Sequence, residues 1–203
     1  MSEYIKFRCE SRGSGTSIAG FDGFAELNAC RRKLLEFGLI GVNSNGIGFG
    51  NLSVRSRRTN DFYITGSATG GIPELTPAHC AKVVAYDFEA NRVEYEGSAI
   101  PSSESLTHAA IYQSATNVRA IIHCHDLMLS RALLNEAPAT LAGVEYGTPD
   151  MAYEVIRLFK HTDVRSRRIL VMTGHEGGVI AFGRDPGEAF TVLTRELRTE
   201  TWR

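Results

Sequence analysis

Cysteine is sparse in this chain and never doubled at short spacing. Cys9, Cys30, Cys80 and Cys124 are scattered, with no CxxC pair, so no disulfide framework of the kind found in small secreted proteins is expected. A basic excess is also missing: 22 Lys and Arg face 23 Asp and Glu. Dedicated nucleic-acid and membrane-surface proteins usually need that excess, so neither partner is expected, although a local positive pocket for a small anion stays open. No apolar run approaches the length of a membrane span, and the start, Met1 to Lys6, lacks the apolar core of a secretory leader. A reduced, cytoplasmic setting is the default expectation. Internal repeats, low-complexity tracts and interdomain linkers are absent as well.

What remains is ordinary globular material. The 203 residues are 43% apolar and 22% charged, enough for one domain with a sizeable core. Residues 1–20 are polar and read as a loosely ordered N-terminal arm on a single domain spanning 1–203. Phe21, Phe24, Ala25, Leu27, Leu34, Leu35 and Phe37 recur at helical spacing, with Gly38 as C-cap. Strands are expected at 50–55, 61–65, 82–88 and 93–95, with a brief helical turn opened by Thr76-Pro77 between the second and third. A helix capped by Ser102 or Ser103 should run to Gln113. A strand over 118–123, a helix over 127–134, a helix from Thr148-Pro149 to Phe159, a strand pair at 168–172 and 179–182, and a closing helix over 186–201 complete the series. Helices and strands alternate, and several strands are close enough to pair antiparallel. The expected class is α/β, one mixed sheet packed between helices. The Arg55–Arg58 and Arg165–Arg168 stretches read as solvated loops or subunit contacts.

Four local features could carry chemistry. In Ile121-Ile122-His123-Cys124-His125-Asp126, residues two apart on a strand face the same side, so His123 and His125 would project together. Two convergent imidazoles suit a zinc ion, but an isolated pair is equally well two satisfied polar residues where a strand leaves the core. Pro101-Ser102-Ser103-Glu104 opens a helix, where unpaired N–H groups suit an anion such as phosphate; simple capping explains the same residues. The Gly66–Gly71 loop could wrap an anion with its amides, or be only a turn. Finally, His175 in Thr173-Gly174-His175-Glu176-Gly177-Gly178 offers the third imidazole that the His123/His125 pair lacks for a site with an open fourth position.

In order along the chain, Gly50–Arg55, Ile64-Thr65 with the glycine-rich loop, Leu75-Thr76-Pro77, Pro101–Glu104, Ile121–His125 and Val179–Gly183 resemble the class II aldolase/adducin family. The resemblance implies a three-layer α/β/α sandwich with a central mixed, largely antiparallel sheet, and a homotetramer with active sites near subunit boundaries. It further implies a metal-dependent lyase that cleaves a small keto-sugar phosphate, or similar aldol substrate, through a metal-stabilised enediolate. A sugar-phosphate dehydratase or epimerase is the nearest alternative, and a non-catalytic adducin-like binding or assembly module is another. By the same resemblance His123 and His125 hold a divalent metal, Zn2+ by preference, and Glu104 is the acid/base. Asn51, Thr69, Gly70, Gly71, Ser102 and Ser103 hold the substrate phosphate. His79, His108 and His161 are read as structural.

Two departures from the family pattern stand out. Its third ligand is a His-Gly pair directly before the 179–182 strand; here that slot is Gly177-Gly178, and His175 lies two residues earlier. His175 is taken as the ligand, reached through a glycine-permitted bulge, with Glu176 as fallback. The path from Pro138 to Thr148 is also short, with Tyr146 as its one tyrosine, so the tyrosine that sugar-phosphate aldolases use on substrate is expected to be missing.

Overall fold

The computed structural model describes residues 6–13, 18–57 and 59–200. An eight-stranded sheet forms the middle layer, in the order β1-β7-β6-β5-β4-β8-β10-β9. Its members are β1 (Arg8–Ser11), β4 (Asn51–Arg55), β5 (Phe62–Thr65), β6 (Cys80–Asp87), β7 (Arg92–Glu96), β8 (Ala120–His125), β9 (Ile169–Met172) and β10 (Gly178–Gly183). All neighbours pair antiparallel except β1 and β7. Two short strands, β2 (Gly41–Val42) and β3 (Gly48–Phe49), make a separate ribbon. Helices α1 (Phe24–Glu36), α3 (Leu127–Leu133) and α6 (Pro186–Glu200) join one face; α2 (Ser105–Ser114), α4 (Pro149–His161) and α5 (Val164–Arg167) join the other. This is the expected three-layer sandwich with a mixed, mostly antiparallel sheet.

Alternation along the central strands generates the two outer layers. On β8, Ile121 belongs to the core under α2 and α4, while Ile122 and Cys124 belong to the core under α1, α3 and α6. On β10, Ile180 and Phe182 face the first core and Val179 and Ala181 the second. Each fully buried branched or aromatic side chain contributes about 1.5–3 kcal/mol, whereas an exposed ion pair such as Arg32–Glu74 contributes about 0–1 kcal/mol. Burial in two cores therefore holds the sheet, and surface charge does not.

Helix α2 is unusual. Eight of its residues, Ser105 to Tyr112, are buried, because it lies between the sheet and α4. Its first cap is correspondingly internal, and that is Glu104 rather than Ser102 or Ser103. Gly38, in the left-handed region at φ 69°, closes α1 as expected.

Several elements differ from the sequence expectation. Arg8–Ser11, within the stretch read as a loose arm, forms β1 and pairs with Arg92–Tyr95; residues 1–5 and 14–17 lie outside the described residues. The ribbon and α5 were not expected; both are too short for a periodic signal. Strand β8 reaches His125 rather than stopping at His123, and the Thr76-Pro77 turn is a three-residue 3-10 helix in which His79 serves the capping box. Arg55 is not a solvated loop residue. Its buried guanidinium donates to the Tyr112 and Thr116 carbonyls and covers the Tyr112 ring. His161 ends α4, exposed.

Candidate active site

Strands β4, β8 and β10 are adjacent, and their register sets Asn51 beside His123 and Gly178 beside His125. His123 and His125 project from the face that carries α2, at the mouth of a cleft of about 560 Å³. His123 Nδ1 lies 3.3 Å from the Val179 carbonyl and His125 Nδ1 2.9 Å from the Glu176 carbonyl. Donation from each Nδ1–H to its carbonyl leaves both Nε2 lone pairs free. The two Nε2 atoms stand 3.1 Å apart. Two imidazoles on one tetrahedral zinc, with bonds of about 2.0–2.1 Å, have nitrogens about 3.3–3.4 Å apart, so the spacing suits a shared cation.

His175 comes to the same place by a different route from the expected bulge. The β9–β10 register is unshifted, Gly178 opposite Met172. The intervening residues form a turn, in which His175 N–H donates to the Met172 carbonyl, Gly178 N–H donates to the His175 carbonyl, and Gly177 takes φ 73°. Chain reversal, not a strand bulge, thus returns His175 to the cleft. The three imidazoles offer nitrogens all within 4.8 Å of one another. Burial, followed by the neighbouring imidazoles, holds His123 well below its ordinary value; burial, then His125 and Lys6, pushes His175 down to about 3; burial lowers His125. All three are neutral at physiological pH, the state that ligates metal. Glu176, the fallback, is exposed and contributes its carbonyl.

Glu104 lies at the start of α2, 2% exposed. Its Oε2 accepts from Thr107 Oγ1 at 2.9 Å, while Oε1 has no hydrogen-bond partner and points to His175 Nε2 at 3.7 Å. Burial raises the carboxyl from 4.5 to about 7, against smaller lowering effects of the Thr107 hydroxyl and Lys6. A carboxyl poised near neutrality can serve as base and as acid. Three neutral imidazoles and an orphaned carboxylate oxygen make a donor set that fits a divalent cation and a polar substrate.

The cleft is also lined by the Gly66–Gly70 loop, Asn51, Ser102 and Ser103. Asn51 Oδ1 is buried without a partner. Thr69 Oγ1 donates to the Gly66 carbonyl at 2.7 Å, so its hydroxyl serves the loop, and Ser102 Oγ accepts from the Glu104 N–H at 3.3 Å. The loop is tied from behind by Arg31, buried on α1, which donates to the carbonyls of Thr69 at 2.6 Å, Gly70 at 2.9 Å and Ile72. Arg31 thereby fixes the backbone of the loop that lines the cleft. Gly71 is exposed beyond the loop and does not line the cleft. Sequence reasoning missed Arg31, the ribbon residues Ile47–Phe49 and Lys6. A basic residue on an apolar helix face was the one signal for Arg31. His108, fully buried, bonds Ser53 Oγ through Nδ1 at 2.7 Å, consistent with its structural reading.

Three imidazoles and a buried helix-start carboxylate thus meet in one cleft of the sandwich. The chain belongs to the class II aldolase and adducin N-terminal domain family, whose model matches residues 25–195. It is similar to a solved L-fuculose 1-phosphate aldolase at 26% identity and TM-score 0.65, covering 91% of this chain and 85% of that one. The L-fuculose-1-phosphate aldolase of Thermus thermophilus shares the fold at 19% identity and TM-score 0.63, with 88% and 90% covered. YgbL of Klebsiella pneumoniae, described as a candidate aldolase, epimerase or decarboxylase, does so at 17% and 0.65, with 88% and 86% covered. Comparison with curated protein sequences gives no match. Class II aldolases use a divalent metal, and no helix among the described residues is long and apolar enough to cross a membrane.

Proposed function

We propose that this protein is a metal-dependent lyase that cleaves a small phosphorylated keto sugar by a reversible aldol reaction. The observation that carries the reading is the unpartnered Glu104 Oε1, buried beside three neutral imidazoles in one cleft. His123, His125 and His175 hold a divalent cation, Zn2+ by preference for an imidazole set. The cation supplies Lewis-acid stabilisation of the negative charge that develops as the carbon–carbon bond breaks. In cleavage Glu104 takes the proton from the substrate hydroxyl as the carbon–carbon bond breaks and returns it to the carbon left behind; in condensation the proton runs the opposite way. The Thr69-Gly70 amides, Asn51, Ser102 and Ser103 bind the phosphate and fix the reacting carbons against Glu104. Gly71 supports this cradle from outside the cleft.

A dehydratase or epimerase is the second reading, favoured by the absence of a long tyrosine-bearing loop between Pro138 and Thr148. The non-catalytic module is disfavoured, since acid and imidazoles are all retained. Homotetramer assembly and a cytoplasmic setting belong to the same proposal, the latter in keeping with four free cysteines. The test is elemental analysis of protein purified without chelator and after zinc is offered, followed by mass analysis of products from a panel of sugar phosphates. About one ion per chain and two carbonyl fragments are expected. A single product lighter by water, or an isomer, would replace aldol cleavage with the second reading. Absence of metal under both conditions would overturn the proposal.

A further inference from the structure

We infer that Tyr146, backed by Lys6, is the residue that positions His175 for metal; this rests on the metal-site reading above. The three imidazoles are not held alike. His123 and His125 lie on a strand, and each has Nδ1 directed at a backbone carbonyl. His175 lies in a turn, and among the described residues no hydrogen bond to either ring nitrogen fixes its rotation; the carboxylate beside it, Glu104, is 3.7 Å away. Apart from the His125 and His123 imidazoles, at 4.3 and 5.2 Å between centroids, what meets the ring is the Tyr146 ring, stacked on it at 3.9 Å with 27° between planes. The ammonium of Lys6 lies 3.7 Å from the Tyr146 centroid and 2.5 Å from Glu145 Oε1. Two bodies so near one centroid occupy opposite faces, so Tyr146 is clamped between a cation and the imidazole, the geometry of a cation–π contact with an aromatic stack behind it.

The backbone is shaped for this clamp. A β-carbon at Gly174, next to His175, would fall on the Val144 carbonyl, so only glycine lets the 144–146 segment dock on the turn. Gly147, at φ 70°, would place a β-carbon 3.0 Å from the Ser103 carbonyl and 3.6 Å from Lys6 Cδ. Glycine on each side thus seats Tyr146 between the histidine turn and the entry to α2. The displacement of His175 out of the strand explains the need. A strand histidine borrows its orientation from the ladder, whereas a turn histidine has χ rotation to lose on binding, and groups that orient metal ligands are worth about 10–100-fold in affinity.

The test uses the full chain and zinc, with a chromophoric chelator in competition, and the absorption spectrum of the Co2+-loaded protein as a second readout. Tyr146→Ala should weaken zinc binding by about 10–100-fold and alter the Co2+ bands. Tyr146→Phe keeps the ring and should bind within about twofold of the parent. Lys6→Met should fall between them, at about two- to fivefold. Circular dichroism checks the fold of each variant; if Tyr146→Ala fails it, Tyr146→Leu and Lys6→Met carry the comparison. Parent-like affinity and spectra in the ring-deleted variants would overturn the inference. So would a Tyr146→Phe as weak as Tyr146→Ala, since the hydroxyl would then hold the role. An unsubstituted chain that takes up no zinc would instead defeat the metal-site reading, and the parent alone reports it.

Discussion

The free oxygen of the Glu104 carboxylate faces the His175 imidazole at 3.7 Å, although one residue begins a buried helix and the other sits in a hairpin turn. On the proposed function, proton transfer and cation binding would be neighbouring tasks. Replacing Glu104 by Gln keeps size and removes the titrating group. Metal content and fold are expected to persist while turnover falls by about 10²–10⁴-fold. Steady-state assay with elemental analysis checks this, and undiminished turnover would remove Glu104 from the chemistry.

The same carboxyl gives a pH dependence in metal-free protein. Its folded pKa is raised from 4.5 to about 7, so the native state keeps the proton longer than the unfolded chain. That contribution is complete below pH 4.5 and is lost as pH rises through about 7. Glu104→Gln should gain stability relative to the parent across this window, by at most about 3 kcal/mol. Denaturant titrations of chelated protein at about pH 5 and about pH 8 measure it; a difference that does not change with pH would contradict the burial effect.

His108 acts with the opposite sign. Burial pushes it from 6.5 down to about 3, so on acidification the unfolded chain takes the proton first. Stability is full above pH 6.5 and declines as pH falls toward 3. His108→Asn has no such group, and its stability deficit against the parent should shrink by up to about 3 kcal/mol between about pH 7 and about pH 4. Parallel acid-unfolding curves for the two proteins would refute this.

Arg31 supports the Gly66–Gly70 loop without lining the cleft. Its removal in Arg31→Met strands the Thr69, Gly70 and Ile72 carbonyls, and hydrogen bonds to a charged group are worth about 1.5–3 kcal/mol each. A loss of about 3 kcal/mol or more in unfolding free energy is expected, with KM for a phosphorylated substrate rising more than kcat falls. An unchanged KM in a folded variant would separate the loop from substrate binding.

Gly50 precedes β4 at φ 76°, and a β-carbon there would fall on Ile40 and lie 3.1 Å from the His123 carbonyl. Left-handed strain costs about 1–2 kcal/mol and overpacking about 1–3 kcal/mol. Gly50→Ala should therefore lose about 2–4 kcal/mol by chemical denaturation; a loss below about 0.5 kcal/mol would show that the backbone relaxes freely.

The sheet and the outer helices were legible because the compact apolar run at 118–123, the alternation at 82–88 and the helical periodicity at 21–37 each stand out locally. The layer arrangement came with the family resemblance. The His123/His125 pair was legible because a strand puts alternate residues on one side. His175 was identified by residue type, yet its route was misread: two glycines fit a bulge or a turn equally well, and register, a non-local property, decides between them. Arg31 was hidden for a related reason. Its role is to bond backbone carbonyls of a distant loop, and no local spacing encodes that. Tyr146, the one tyrosine between Pro138 and Thr148, lines the cleft and stacks on His175, a contact no local spacing encodes.

The mixed provenance of the imidazoles, two on a central strand and one in a hairpin turn, has a kinetic meaning. Amide groups of a central strand exchange with solvent only in rare, large openings, whereas a turn opens locally and often. On the proposed metal site, His175 would be the ligand to part first, and the Tyr146 stack on its ring would then govern how readily the cation exchanges. Such a site would exchange its cation without global unfolding.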